Sequence, residues 1–144
     1  MTPLRDPEVN AYLDEIRIPI RIACATASGW PSLVSLWFLR DGDRLLCATP
    51  ADARVVGWLA AEPRCGFEVS GNDMPYRGVR GRARARIDRE GGAEVLRRLA
   101  LRYLGSDATP FARWLLSRPE PEVAIALEIE QLTHWDFSKR MQAS

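Results

Sequence analysis

Arg80, Arg82, Arg84 and Arg86 alternate with Gly81, Ala83, Ala85 and Ile87, and this period of two admits only an extended strand. Tyr76 to Asp88 therefore reads as one long strand, with four guanidinium groups on one face and small or apolar side chains on the other. A solvated strand face, with carboxylates such as Glu68 or Glu128 across from it, accounts for such a stripe. Single-stranded nucleic acid would want aromatic side chains interleaved with the arginines. None occurs within the stripe, and no nucleic-acid partner is expected.

The rest of the chain supplies neighbours for that strand. Ile20 to Ala27 reads as a strand, Ser28-Gly29-Trp30-Pro31 as a turn, and Ser32 to Arg40 as a second strand. Asp41-Gly42-Asp43 marks a hairpin into Arg44 to Thr49. A fourth strand spans Arg64 to Ser70, Gly71 to Pro75 form a loop, and Val123 to Phe137 make the last strand. Helical spacing appears in 7–16 (Val9, Tyr12, Leu13, Ile16), in 51–61, and across 91–117, where Val95, Leu96 and Leu99 precede Phe111 and Trp114. The expected fold is α+β, mainly β with flanking helices: six strands in a mostly antiparallel sheet, closed or split as a barrel, with helix 7–16 across its mouth. At 144 residues, and with no repeat, low-complexity tract or linker, the whole of 1–144 is expected to be a single domain.

Arg44 to Pro63 carries the clearest local chemistry. Leu45 to Ala48 are apolar and too few for a helix, whereas Val55, Val56, Leu59 and Ala60 recur at helical spacing, so a strand hands over to a helix at Thr49-Pro50. Asp52 or Thr49 is placed to cap that helix, and Glu62-Pro63 ends it. Free amides and the positive end of the helix dipole attract an anion, and Arg54 adds a guanidinium suited to phosphate. A plain capped helix with Arg54 in solvent uses the same residues.

Composition bounds the partners. Lys and Arg total 20 against 19 Asp and Glu, so net charge gives no case for nucleic acid or an anionic membrane. Cys24, Cys47 and Cys65 are odd in number and sit in apolar runs, which reads as buried free thiols in a reducing compartment. No apolar run approaches the roughly 20 residues that span a bilayer. The expectation is a soluble, cytoplasmic protein with no membrane partner. His134 lacks a second ligand at metal spacing and reads as structural; no metal site and no Ser/His/Asp or Cys/His arrangement is expected.

Taken in order, Arg21 to Pro31, Val34-Ser-Leu-Trp-Phe38, Gly42-Asp43, Ala48-Thr49, Arg54, Ala61-Glu62-Pro63-Arg64, Tyr76 to Val79 and Gly81-Arg-Ala83 resemble the flavin-binding split barrels related to pyridoxamine 5'-phosphate oxidase. The resemblance covers roughly residues 16 to 137. It implies a homodimer with FMN, or alternatively the deazaflavin coenzyme F(420), in a groove between subunits. It further implies that Thr49 and Arg54 grip the cofactor phosphate, where most relatives have Lys in place of Arg54. Val34, Ser35, Leu36 and Trp37 would line the isoalloxazine ring, and Arg77 and Arg80 would close the groove, from the partner subunit if need be. Alternation places one of Trp37 and Phe38 in the core and the other against a helix or the partner.

The implied activity is an oxidoreductase acting on a small-molecule substrate, in which the flavin carries the reactive atom and the protein supplies placement. A non-catalytic flavin-binding or sequestering dimer has the same groove. The ending Trp135-Asp-Phe-Ser-Lys-Arg-Met-Gln-Ala-Ser differs from the C-terminal segment, rich in Arg and His, of true pyridoxamine-phosphate oxidases. The broader relatives are the better match. F(420) has an acidic tail, which the arginine stripe could serve.

Overall fold

The computed structural model describes residues 4–138 and 140. Its elements are α1 (Pro7–Glu15), β1 (Ile20–Ala25), β2 (Pro31–Leu36), β3 (Leu39–Asp41), β4 (Arg44–Pro50), α2 (Arg54–Ala61), β5 (Arg64–Ser70), β6 (Arg77–Asp88), α3 (Gly92–Leu104), α4 (Pro110–Leu116) and β7 (Glu122–Asp136). Among the described residues the seven strands form one antiparallel sheet in the order β2-β1-β5-β6-β7-β4-β3.

The strand count is corrected: the sheet has seven strands rather than six, and of the two arrangements expected, closed or split, its ladder is not the closed one. The extra strand arises because 32–40 breaks at Trp37-Phe38 into β2 and β3, which lie at opposite edges of the sheet. Tyr103 of α3 holds the break. Its hydroxyl accepts the Phe38 N–H at 3.2 Å and donates to the Ile18 carbonyl at 2.8 Å, taking the place of a strand neighbour. The Trp37 ring stacks on Tyr103, with centroids 4.9 Å apart and planes 5° from parallel. Because only two residues join β2 to β3, the edges of the open sheet are drawn together by the chain itself. β2 approaches β4 there without pairing to it.

The curl encloses the main core. Ile20, Ile22, Leu45, Phe67, Val79, Ile125 and Leu127 meet inside it, joined by Phe38, which is fully buried. Each such side chain contributes about 1.5–3 kcal/mol on burial. α1, capped by Asp6, adds Val9, Tyr12 and Leu13. The Tyr12 hydroxyl lies 3.2 Å from the Val69 carbonyl and 3.3 Å from that of Arg77, tying the helix to β5 and β6. A second cluster on the opposite face packs Leu39, Leu46, Ala124 and Ala126 against Val95 and Leu99 of α3. α3 thus covers β4 and β7, while among the described residues the outer faces of β1, β5 and β6 carry no helix. Among the described residues no helix is long and apolar enough to cross a membrane.

Candidate functional site at the sheet seam and its strand-to-helix junction

The junction differs in one respect from expectation: neither Asp52 nor Thr49 caps α2. Its N-cap is Ala53, and no side chain bonds the first turn. Ala53 N–H goes to the Pro50 carbonyl at 3.0 Å and Val56 N–H to that of Ala53 at 3.1 Å, leaving the Arg54 and Val55 amides with no backbone partner. Arg54 is the first helical residue, exposed, and has no ion-pair partner among the described residues. Thr49 is only 6 % exposed. The groups open to an anion are therefore the first-turn amides and the Arg54 guanidinium.

The seam adds unpaired backbone. β2 is an edge strand, so the side of its backbone away from β1 faces no other strand. β4 pairs β3 only through Arg44, Leu45 and Leu46, so Cys47, Ala48 and Thr49 are unpaired on that side. Two free strand edges thus converge and lead into the junction. Val34 and Leu36 turn inward against the core, Ser35 turns outward, and Trp37 is half-buried on Tyr103. Val34, Ser35, Leu36, Thr49 and Arg54 share this seam; Trp37 stands where β2 leaves it.

Arg77 and Arg80 lie elsewhere. Ala48 is in register with Ala124, and Ala124 with Asp88, at the far end of β6 from both arginines. Eight residues of strand separate Asp88 from Arg80, about 26 Å at the usual rise. Within one protomer they do not reach the junction. The Arg77 guanidinium sits 4.8 Å from the Tyr12 ring centroid and 3.7 Å from Asp136, and Arg80 sits 4.9 Å from the Trp135 ring centroid. Arg84 and Arg86 pair with Glu130 at 3.1 Å and Glu128 at 3.3 Å, as a solvated stripe would. Glu68 instead accepts the Ser70 hydroxyl at 2.7 Å.

Arg80 belongs to a feature that residue spacing could not reveal. Pairing aligns Ser35, Arg21, Glu68, Arg80 and Thr133 in one row across the outer face. A cavity of about 560 Å³ opens there over Ala23, Gly66 and Gly81. Arg21, Arg80 and Arg82 border it with no carboxylate partner among the described residues. Glu68 is the one acidic group on its wall. Arg21 was legible as a charged residue in a strand, but its place beside Arg80 depends on register.

Acid–base groups are sparse. Burial pushes the Cys65 thiol up to about 12 and raises those of Cys24 and Cys47. All three are free and buried, hence poor nucleophiles at neutral pH. His134 pairs with Val79 across the ladder, and its Nε2 is buried without a partner. Among the described residues no group of His, Cys, Asp or Glu could hold a metal. The arrangement is suited to binding an anion and a planar group against backbone edges.

No family model and no curated protein matches the chain. Solved structures do. A conserved hypothetical protein from Mycobacterium tuberculosis superposes with a TM-score of 0.81 at 20 % identity, over 98 % of this chain and 90 % of that one. An F(420) reductase gives 0.72 at 21 % identity, over 89 % and 98 %. A candidate pyridoxamine 5'-phosphate oxidase from Listeria innocua gives 0.66 at 12 % identity, over 88 % and 94 %. Proteins named for FAD binding and for heme storage share the fold as well. The chain accordingly has the fold of the pyridoxamine 5'-phosphate oxidase-like split-barrel proteins.

Proposed function

We propose that this protein is a flavin- or deazaflavin-dependent oxidoreductase that works as a homodimer on a small organic substrate. One observation carries the reading: an unpartnered Arg54 on an uncapped helix start, at the end of a seam where two strand edges lack neighbours. A cofactor phosphate would be held by Arg54 and the first-turn amides, with Thr49 behind them. The edges of Val34 to Leu36 on β2 and of Cys47 to Thr49 on β4 offer backbone groups to the rim of a ring, and Trp37 bounds that end. When bound, the cofactor supplies hydride or electron transfer; the protein binds it, orients it and excludes water.

The distance of Arg77 and Arg80 from the junction fits a role across a dimer, where they would close the partner's groove. FMN needs the single phosphate grip, and the junction supports it. The deazaflavin F(420) is the second reading, favoured by Arg21, Arg80 and Arg82, whose unpaired charges suit an acidic tail. A non-catalytic flavin-binding or sequestering dimer would use the same residues. Absorbance titration of purified protein with FMN and with F(420) identifies the cofactor. Reduction by a nicotinamide cofactor or dithionite, then reoxidation by candidate substrates, identifies the enzyme. Failure to take up either cofactor refutes the reading.

A further inference from the structure

Cys24 and Cys65 are register partners on neighbouring strands, β1 and β5. Both side chains turn into the main core, where they are 1 % and 7 % exposed. Residues directly opposite in an antiparallel pair hold their Cα atoms about 4.5 or about 5.5 Å apart, according to whether the pair exchanges hydrogen bonds, and both values lie within the reach of a disulfide. The two thiols are free. Cys65 Sγ donates to the Ala83 carbonyl at 3.6 Å, on the side of β6, so a rotation about χ1 is what carries it to Cys24. That rotation gives up one weak hydrogen bond.

Cys47 is the competitor. Burial first, and then the Cys65 thiol beside it, hold the Cys47 thiol above its ordinary value, and Cys24 acts in the same way on Cys65. Cys65 thus has two thiol neighbours. No ladder joins β4 to β5, whereas β1 is paired with β5 at Cys24 itself. Register therefore selects Cys24. Residues 25–64, between the two cysteines, contain β2, β3, β4 and α2, and with them both free strand edges, Trp37, Thr49 and Arg54. A bond from Cys24 to Cys65 closes the whole seam and its junction into one covalent loop.

We propose that Cys24 and Cys65 are a latent thiol pair that a low-molecular-weight disulfide such as oxidised glutathione converts to a cross-strand disulfide, locking the seam in a closed loop. One thiol displaces a glutathione thiolate to give a mixed disulfide, and the other displaces the second glutathione from it. An Sγ–Sγ bond forms, the glutathione S–S bond breaks, and two protons and two electrons pass from the cysteines to two molecules of reduced glutathione. Because the thiols are enclosed and ionise with difficulty, exchange runs through transient opening and is slow, while register sets its end point. The pair needs neither a bound cofactor nor a second copy, and it stands or falls without either.

The test equilibrates the full chain with a large excess of oxidised over reduced glutathione, alkylates the remaining thiols in denaturant and maps the peptides by mass spectrometry. One cycle of unfolding and refolding in the same buffer keeps slow opening from masking the end point. The expected product is lighter by two hydrogens before alkylation, links Cys24 to Cys65, leaves Cys47 alkylated and keeps the native near-ultraviolet circular dichroism spectrum. Its unfolding equilibrium constant at a fixed urea concentration should be at least about tenfold smaller than that of the reduced chain, since the cross-link removes freedom from the unfolded state. Cys47→Ala should give the same product, and Cys24→Ala none. A chain that stays fully reduced, carries only glutathione adducts or links Cys47 overturns the proposal. So does a Cys24–Cys65 bond accompanied by loss of the native spectrum or by no gain in stability.

Discussion

Arg54 stands at the first turn of α2 with no partner to lose, so replacing it tests ligand binding almost free of stability effects. Arg54→Ala should weaken cofactor binding by about 1.5–3 kcal/mol, the usual worth of a hydrogen bond to a charged group. Denaturant unfolding of the same variant should shift by less than about 0.5 kcal/mol. Fluorescence titration measures the first, and an unchanged affinity would move the phosphate elsewhere. Gly81 poses the opposite case: it lines the outer cavity, yet its backbone is pressed against β7. A Cβ there would lie 1.9 Å from the Gln131 carbonyl oxygen, beside the register shift at Arg82/Ala83. Gly81→Ala should cost about 3 kcal/mol in a urea melt, through overpacking against backbone that cannot swing aside. The alternation that identified β6 gave no sign of this, because the spacing of small residues says nothing of how near the neighbouring strand comes.

At the scale of elements, the break between β2 and β3 decides the shape of the sheet, and Tyr103 decides the break. Tyr103→Phe keeps the ring on Trp37 but leaves the Phe38 N–H and Ile18 carbonyl without the hydroxyl. Equilibrium unfolding should show a loss of about 1–3 kcal/mol, the cost of stranding buried backbone groups. Hydrogen exchange should quicken first at Phe38, and unaltered exchange there would show that another group holds the break. Within elements, the sequence was a good guide. β5 and the hairpin at Gly42, whose φ is +63°, fell where the residues put them, and α3 and α4 lie within the helical stretch 91–117. The missed break lay in a run that alternates well on its own, and its cause is a side chain 65 residues away. The cap of α2 was misread for a related reason: Thr49 points into the core alongside Leu45 and Cys47, out of reach of the helix start.

For the whole molecule, Trp30 and Leu33 are 77 % and 75 % exposed beside an outer face that no helix covers. If that face is shared between two copies, sedimentation velocity should give twice the 16.2 kDa chain mass, and Leu33→Asp should return the monomer. The three thiols report on global opening instead. Burial pushes the Cys65 thiol up to about 12 from its ordinary 9.0. The raised folded value means full stability below about pH 9 and a progressive loss as pH rises toward 12, because the unfolded state gains by ionising first. Thiol labelling at neutral pH should therefore proceed only at the rate of unfolding; rapid labelling of the native protein would contradict the buried placement.

What the sequence determined by itself were the features fixed by neighbours in the chain: the strands from their period of two, the helices from their spacing, the strand-to-helix junction with its arginine, and the burial of the cysteines from their apolar runs. Its resemblance to the split barrels also named the fold. Tertiary structure alone decided which strand edges are left free, that Thr49 turns inward, and that Arg80 and Arg77 lie about 26 and about 36 Å of strand from the junction. It also decided that Arg21 joins Arg80 across β5 and that Cys24 faces Cys65 across the β1–β5 ladder. These depend on register and on contacts between residues far apart in sequence, and a periodic pattern records which face a side chain takes but not what faces it.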